Sequence, residues 1–263
     1  MIHKKCKAAA VQWDVKLGNA EANLACVREM LGIAKANRAD LAVLPEMWSC
    51  GFDNAHLADH ARRTPDILAE ILKLARQYNM IVAGSMPESQ GKNIYNTMYV
   101  ADRNGTLAGS YRKVHLFSVT GEEKYFASGR SHAICRTSLG DLGLMICYDL
   151  RFPELCRTLV LKGATAVIIS AQWPRVRIHR WDILAQARAV ENQIYLIASN
   201  RCGKENNTIF GGHSIIVAPS GEVLAMAEEE TCLQYAEIDP ERIIEARKIM
   251  PSLKERMPEA YEI

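Results

Sequence analysis

Three side chains of this sequence could carry out acyl transfer together: the thiol of Cys147, the carboxylate of Glu46 and the ammonium of Lys113. Cys147 stands in Gly143-Leu-Met-Ile-Cys147-Tyr148-Asp149-Leu-Arg151-Phe152-Pro153-Glu154, where an apolar strand runs into a sharp turn and a helix opens near Pro153. That is the layout of a nucleophile elbow, which holds a reactive atom above a sheet. A helix N-terminus close by favours the thiolate. The competing reading is one more buried, inert thiol. Glu46 follows the apolar run 41–44 beside Pro45 and Trp48, where poor solvation raises a carboxyl pKa toward the range of a general base. Lys113 ends another expected strand, at Tyr111-Arg112-Lys113. An exposed loop acid and a solvated basic turn are the plain alternatives for these two residues.

The combination has a definite meaning. Each residue follows a strand's carboxyl end, where α/β folds gather their active sites. Glu46 can take the thiol proton and later deliver it to a leaving amine. Cys147 can attack a carbonyl, and Lys113 with the Tyr148 backbone N–H can hold the developing oxyanion.

The elements that must position these groups alternate along the chain. Strands are expected at 8–12, 41–44, 80–85, 133–137, 142–146, 166–170, 195–199 and 232–238. Asn19 caps a helix with the stripe Leu24, Val27, Leu31 and Ala34. Thr64-Pro65-Asp66 reads as a second helix start, with proline at the first helical position. Helices follow at 153–162, stopped by Gly163, and at 180–192. Asn104-Gly105 and Pro219-Ser220-Gly221 mark hairpins within 99–109 and 215–227. The tail after Asp239-Pro240 holds one short helical segment. No linker or clear repeat divides the chain, so a single domain over 1–263 is expected. About eleven strands and four helices predict a mixed sheet layered with helices.

Composition narrows the function. The 263 residues carry 32 Lys+Arg against 30 Asp+Glu and are 49% apolar, which suits a globular domain with a sizeable core. A net charge of +2 and no long basic block argue against nucleic acid or an anionic membrane as partner. No apolar run reaches the length of a membrane span, and the start lacks a signal peptide's apolar stretch. The eight cysteines (Cys6, Cys26, Cys50, Cys135, Cys147, Cys156, Cys202 and Cys232) form no dense framework, which suits reduced thiols in a cytoplasm.

Leu44-Pro45-Glu46, Tyr111-Arg112-Lys113-Val-His115-Leu116-Phe117 and the Cys147 segment, in that order and spacing, resemble the motifs of the nitrilase superfamily of carbon–nitrogen hydrolases. The resemblance runs from Val11-Gln12-Trp13 to the tail. It implies an α/β fold, a four-layer α-β-β-α sandwich, usually as a homodimer, with the tail (about 240–263) packing on a partner subunit. It also implies Glu46 as base, Lys113 as electrostatic stabiliser and Cys147 as nucleophile, with no cofactor and no metal. A second glutamate follows the lysine motif; Glu122 matches best, with Glu123 one position away.

Within the superfamily the sequence is most similar to the omega-amidases. Tyr95-Asn96-Thr97-Met98-Tyr99, Gly121-Glu122, Ser170-Ala171-Gln172-Trp173-Pro174 and 187–193 carry that likeness. Gln172-Trp173-Pro174 departs from the animal members and resembles bacterial ones. The implied reaction cleaves the ω-amide of small 2-oxo acid amides, 2-oxoglutaramate and 2-oxosuccinamate, through a cysteinyl thioester. A deaminated-glutathione amidase, an N-carbamoyl amine hydrolase, or a catalytically silent interaction module are the alternatives. A substrate carboxylate needs a cation, and Arg175, Arg177 and Arg180 lie in one loop with Trp173. Arg177 is the preferred clamp, because guanidinium can bind bidentately; a solvated basic loop or subunit contact is the alternative.

Other candidates carry less. His56 and His60 are one helical turn apart but have no evident third ligand for zinc. His115 reads as a structural support for the Lys113 loop. Gly211-Gly212-His213-Ser214 is too short for a phosphate loop. Arg188 and Glu191 read as a surface pair on their helix, or as an interface element by the family resemblance. Cys50 and Cys156 have no local mark of a nucleophile.

Overall fold

The computed structural model describes residues 2–261. The first half alternates strand and helix: β1 (Cys6–Gln12), α1 (Ala20–Ala36), β2 (Leu41–Val43), α2 (Leu57–Tyr78), β3 (Ile81–Gln90), β4 (Asn93–Ala101) and β5 (Leu107–Arg112). The second half runs β6 (Ile134–Thr137), β7 (Gly140–Ile146), α3 (Pro153–Leu161), β8 (Ala166–Ala171), α4 (Ile178–Asn192) and β9 (Tyr195–Asn200). It continues with β10 (Cys202–Glu205), β11 (Thr208–Gly211), β12 (Ile215–Val217), β13 (Val223–Met226), β14 (Cys232–Ile238) and α5 (Pro240–Ile249).

Two six-stranded sheets form, in the orders β14-β1-β2-β3-β4-β5 and β13-β12-β9-β8-β7-β6. In each, three parallel strands are flanked by antiparallel ones: β1, β2 and β3 in the first, β7, β8 and β9 in the second. The halves thus share one topology without a legible sequence repeat.

Side chains along β2 alternate between two cores, as a pleated strand requires. Leu41 and Val43 face the other sheet, meeting Leu144, Ile146 and Ile168 in the central core. Ala42 and Leu44 face outward, under Val27 and Leu31 of α1 and Ile71 and Leu74 of α2. On the far side Leu155 and Leu159 of α3 and Trp181 and Ala185 of α4 cover the second sheet. The layers are therefore α-β-β-α, as the sequence motifs imply. Among the described residues no helix is long and apolar enough to cross a membrane.

Several local expectations need correction. Thr64-Pro65 does not start a helix: α2 begins at Leu57 and carries Pro65 inside. Proline there removes one backbone hydrogen bond. The extra turns are held instead by tertiary contacts, with Leu57 and Ala61 buried and the Thr64 hydroxyl donating to the Pro87 carbonyl at 2.6 Å. The strand expected at 80–85 continues to Gln90 and turns back into β4. The β10–β11 hairpin, absent from the expected elements, also forms. The described residues accordingly form fourteen strands and five α-helices rather than about eleven and four.

Candidate active site

Glu46, Lys113 and Cys147 converge at the carboxyl ends of β2, β5 and β7, as their positions after strands predict. All three line one cavity of about 450 Å³. Glu46 is 1% exposed. Its Oε1 accepts hydrogen bonds from Lys113 Nζ and Asn96 Nδ2, both at 2.8 Å, and its Oε2 accepts one from the Gln172 N–H at 3.0 Å. The loop that carries it is tight. Met47 takes a left-handed φ of 45°, and Gly84 is required beneath it, because a Cβ there would lie 2.8 Å from Leu44 Cβ and Trp48 Cδ1.

Lys113 is buried between two carboxylates. Its Nζ donates to Glu46 and to both oxygens of Glu122 at 2.8 Å. Glu122, the second glutamate of the motif reading, also accepts from the Phe117 N–H at 2.7 Å, whereas Glu123 is exposed. Burial disfavours the Lys113 charge, but Glu46, Glu122 and Cys147 outweigh it and lift its pKa above the ordinary lysine value. Burial raises the Glu46 carboxyl above the usual carboxylate range, and Glu122 adds to this against the pull of Lys113.

Cys147 heads a tight 3-10 turn, Cys147–Arg151, with φ at +47°. A non-glycine residue in this region carries roughly 1–2 kcal/mol of strain. The thiol lies beside the Glu46 carboxylate, the Lys113 ammonium and the Gln172 N–H. The helix N-terminus expected to favour the thiolate does not prevail here. Burial and the Glu46 charge push the thiol well above its ordinary pKa, and Lys113 does not reverse this. The α3 N-terminus begins only at Pro153, beyond the turn. A neutral thiol beside a poorly solvated carboxylate is an arrangement for proton transfer at the moment of attack.

One buried carboxylate holds the strained turn in place. Asp149 accepts from the Ile146 N–H at 2.9 Å and from the Tyr111 hydroxyl at 2.8 Å. It also takes the His115 N–H at 3.0 Å and lies 2.7 Å from His115 Nδ1. The Lys113 loop and the Cys147 turn are thereby tied to one anion. His115 stacks on Phe152 at 3.6 Å, which fits its expected supporting role. Arg188 is not a surface residue as expected. It is 5% exposed and donates to the Leu150 carbonyl from beneath the turn, besides pairing with Glu191 at 3.0 Å.

The cavity walls are aromatic and basic. Phe117, Tyr148, Trp173 and Phe210 line it, together with Arg151 and Arg177. Arg177 lies over Phe117 at 5.1 Å, and Arg151 over Trp173 at 4.9 Å. Neither arginine has an ion-pair partner among the described residues, whereas Arg175 turns out to pair with Glu229 at 3.0 Å. Arg180 is exposed and does not line the cavity. Burial, with Arg180 and Arg177 nearby, lowers the Arg151 pKa. Two guanidiniums without an ion-pair partner among the described residues can, chemically, receive an anion. His56 and His60, by contrast, both turn to Asp53, at 3.0 and 2.9 Å.

Asn96, Asp149, Arg151 and Gln172 were not singled out from sequence as site residues. Arg151 and Asp149 lie within the cysteine motif, but nothing in its spacing says which side chains face the cavity. Asn96 reaches Glu46 only because β4 lies beside β5, where the Lys113 N–H donates to the Asn96 carbonyl at 2.9 Å.

Fold and site define a hydrolase of non-peptide carbon–nitrogen bonds, and the chain belongs to the carbon-nitrogen hydrolase family, whose family model matches residues 7–248. It is 35% identical to a 2-oxoglutaramate amidase of Bacillus subtilis (strain 168), over 98% of this chain and all of the relative. The solved structure of Saccharomyces cerevisiae Nit3, a member of branch 10 of the nitrilase superfamily, is 30% identical and superposes with a TM-score of 0.90 over 97% of each chain. An amidase of Nesterenkonia sp. AN1, 25% identical, superposes at 0.87 over 98% of this chain and 95% of the other. It was solved as a mutant with the acetamide moiety of fluoroacetamide added covalently at the active-site cysteine.

Proposed function

We propose that the protein is a thiol amidohydrolase that cleaves the ω-amide of small 2-oxo acid amides such as 2-oxoglutaramate and 2-oxosuccinamate. The observation that carries this reading is the Glu46–Lys113–Cys147 cluster in one cavity with two unpaired guanidiniums. Cys147 Sγ attacks the amide carbon while Glu46 takes the thiol proton. Lys113 and the Tyr148 backbone N–H hold the oxyanion. Collapse expels ammonia with the proton returned by Glu46, leaving a thioester. Water then adds to the thioester as Glu46 takes its proton, and a second collapse releases the carboxylic acid and the thiol. Glu122 holds the Lys113 ammonium in place throughout.

Arg151 and Arg177 receive the substrate's free carboxylate, with Trp173 as the apolar wall. Replacing either arginine by alanine should raise KM for 2-oxoglutaramate roughly 10- to 100-fold, the worth of one charge-assisted hydrogen bond. A neutral short-chain amide should be affected little, and an equal rise for both substrates would remove the arginine from carboxylate binding. The deciding experiment is ammonia release from 2-oxoglutaramate, deaminated glutathione and N-carbamoylputrescine measured side by side. Turnover of the first is expected to dominate. Turnover of the carbamoyl compound alone would overturn the substrate reading and leave the cysteine chemistry standing.

The chain is read as one domain, since its central core draws on both sheets. A cytoplasmic setting is supported by eight free thiols. A homodimer, with the tail on the partner, is supported by apolar side chains exposed on α4 and the tail, among them Ile183, Ile249, Met250 and Met257.

A further inference from the structure

Arg201, the residue after β9, is 1% exposed and ties together segments far apart in the chain. Its Nη1 donates to Gln172 Oε1 at 3.0 Å and to Glu205 Oε2 at 2.6 Å, and its Nη2 donates to Asp14 Oδ1 at 3.2 Å. The guanidinium lies 4.3 Å from the centre of the Phe210 ring. Gln172 passes the restraint on. Its Nε2 donates to the Glu46 carbonyl at 2.8 Å, and its backbone N–H donates to Glu46 Oε2 at 3.0 Å. Glu205 and Phe210, on the two strands of the β10–β11 hairpin, both line the cavity.

A buried guanidinium is costly unless its hydrogen bonds are used, and a planar fork suits several fixed acceptors better than an ammonium does. The Glu205 carboxylate, if unpaired, would also set a negative charge facing an anionic substrate. We propose that Arg201 is a positioning residue: it holds Gln172 against Glu46, pins the β10–β11 hairpin as a wall of the cavity, and neutralises Glu205 there. The inference rests on the reading of Glu46 as the general base.

The test uses the full-length protein with Arg201→Met, Arg201→Lys, Gln172→Ala and the Arg201→Met/Gln172→Ala double variant. The readout is the pH profile of kcat/KM for 2-oxoglutaramate. Freed from Arg201, Gln172 holds its backbone N–H less firmly against Glu46 Oε2 and supports the anion less, so the acid limb should move up by about half a pH unit or more in Arg201→Met. Gln172→Ala should move it the same way, and the double variant should add nothing further. Arg201→Met should also raise KM for the anionic amide roughly tenfold, through the uncovered Glu205 charge. Arg201→Lys, which keeps the charge but not the fork, should fall between, and it serves as the test if Arg201→Met fails to fold. A wild-type acid limb in the Arg201 variants, or additive effects in the double variant, overturns the positioning role. Glu46→Gln separates the two levels. Thioester formation at a normal rate in that variant would refute the base itself, whereas a dead Glu46→Gln beside an unmoved limb refutes Arg201 alone.

Discussion

Cys147→Ala is expected to lower kcat for 2-oxo acid amides by about 10⁵-fold or more, the scale on which removal of a covalent nucleophile acts. The loss should be confined to chemistry. The Glu46–Lys113–Glu122 cluster keeps its own hydrogen bonds without the thiol. Substrate should still bind, and no acyl adduct should appear by intact-mass analysis. A second substitution separates reactivity from strain. Because Cys147 sits at φ +47°, Cys147→Gly relieves a conformation that costs an L-residue about 1 kcal/mol or more. That variant should be as inactive as Cys147→Ala but unfold at a higher urea concentration. Equal midpoints for the two would mean that the turn stores no strain. Residual turnover near the wild-type rate in either would dismiss Cys147 as nucleophile.

Lys113→Met removes a cation buried between two carboxylates and should damage both activity and stability. Loss of one oxyanion donor costs about 3–4 kcal/mol in the transition state, so kcat/KM should fall by several hundredfold at least. Removing one partner of a buried ion pair costs about 3–5 kcal/mol of folding stability, because the other charge is left uncompensated. The pH dependence has a definite sign. Burial already holds the Glu46 carboxyl above its usual range, with Lys113 pulling it down; without Lys113 it rises further. The folded variant then binds more protons than the unfolded chain, so its stability falls as pH rises through the folded-state carboxyl pKa. The deficit against wild type should be full above that pKa and shrink as pH falls toward about 4.3, the unfolded glutamate value. Urea unfolding at about pH 5 and pH 8 checks this, and a deficit that grows toward acid would contradict the buried-pair account.

Much of the architecture is local information. The alternation Leu41, Val43 against Ala42, Leu44 and the stripe Val27, Leu31, Ala34 are set by the periods of strand and helix, and these elements occur where the periods put them. Asn19 caps α1 through the Ala22 N–H as its type predicts. Where a local signal met a stronger long-range one, it failed. Pro65 resembles a helix start, yet burial of Leu57 and Ala61 carries α2 back through it. The β10–β11 hairpin has too few apolar residues on alternating sites to show itself as a strand pair, and it is held by Arg201 and by the Gly211 N–H donating to the Trp173 carbonyl.

The site divides in the same way. Residue type and position after a strand made Glu46, Lys113 and Cys147 candidates, and the resemblance to a known family gave them roles, because each motif is continuous in sequence. Their protonation was not legible. Whether Cys147 rests as thiol or thiolate depends on how deeply it is buried and on a carboxylate brought from a hundred residues away, and neither quantity is local. The same holds for Arg151, Asp149, Gln172 and Arg201, whose roles are set by which neighbours the two packed sheets place within hydrogen-bond reach. Sequence by itself determined which chemical groups are present and which strands carry them. Only the tertiary structure decided their charges, their partners and which guanidiniums line the cavity without an ion-pair partner, since desolvation and through-space Coulomb forces act between segments that the chain order keeps apart.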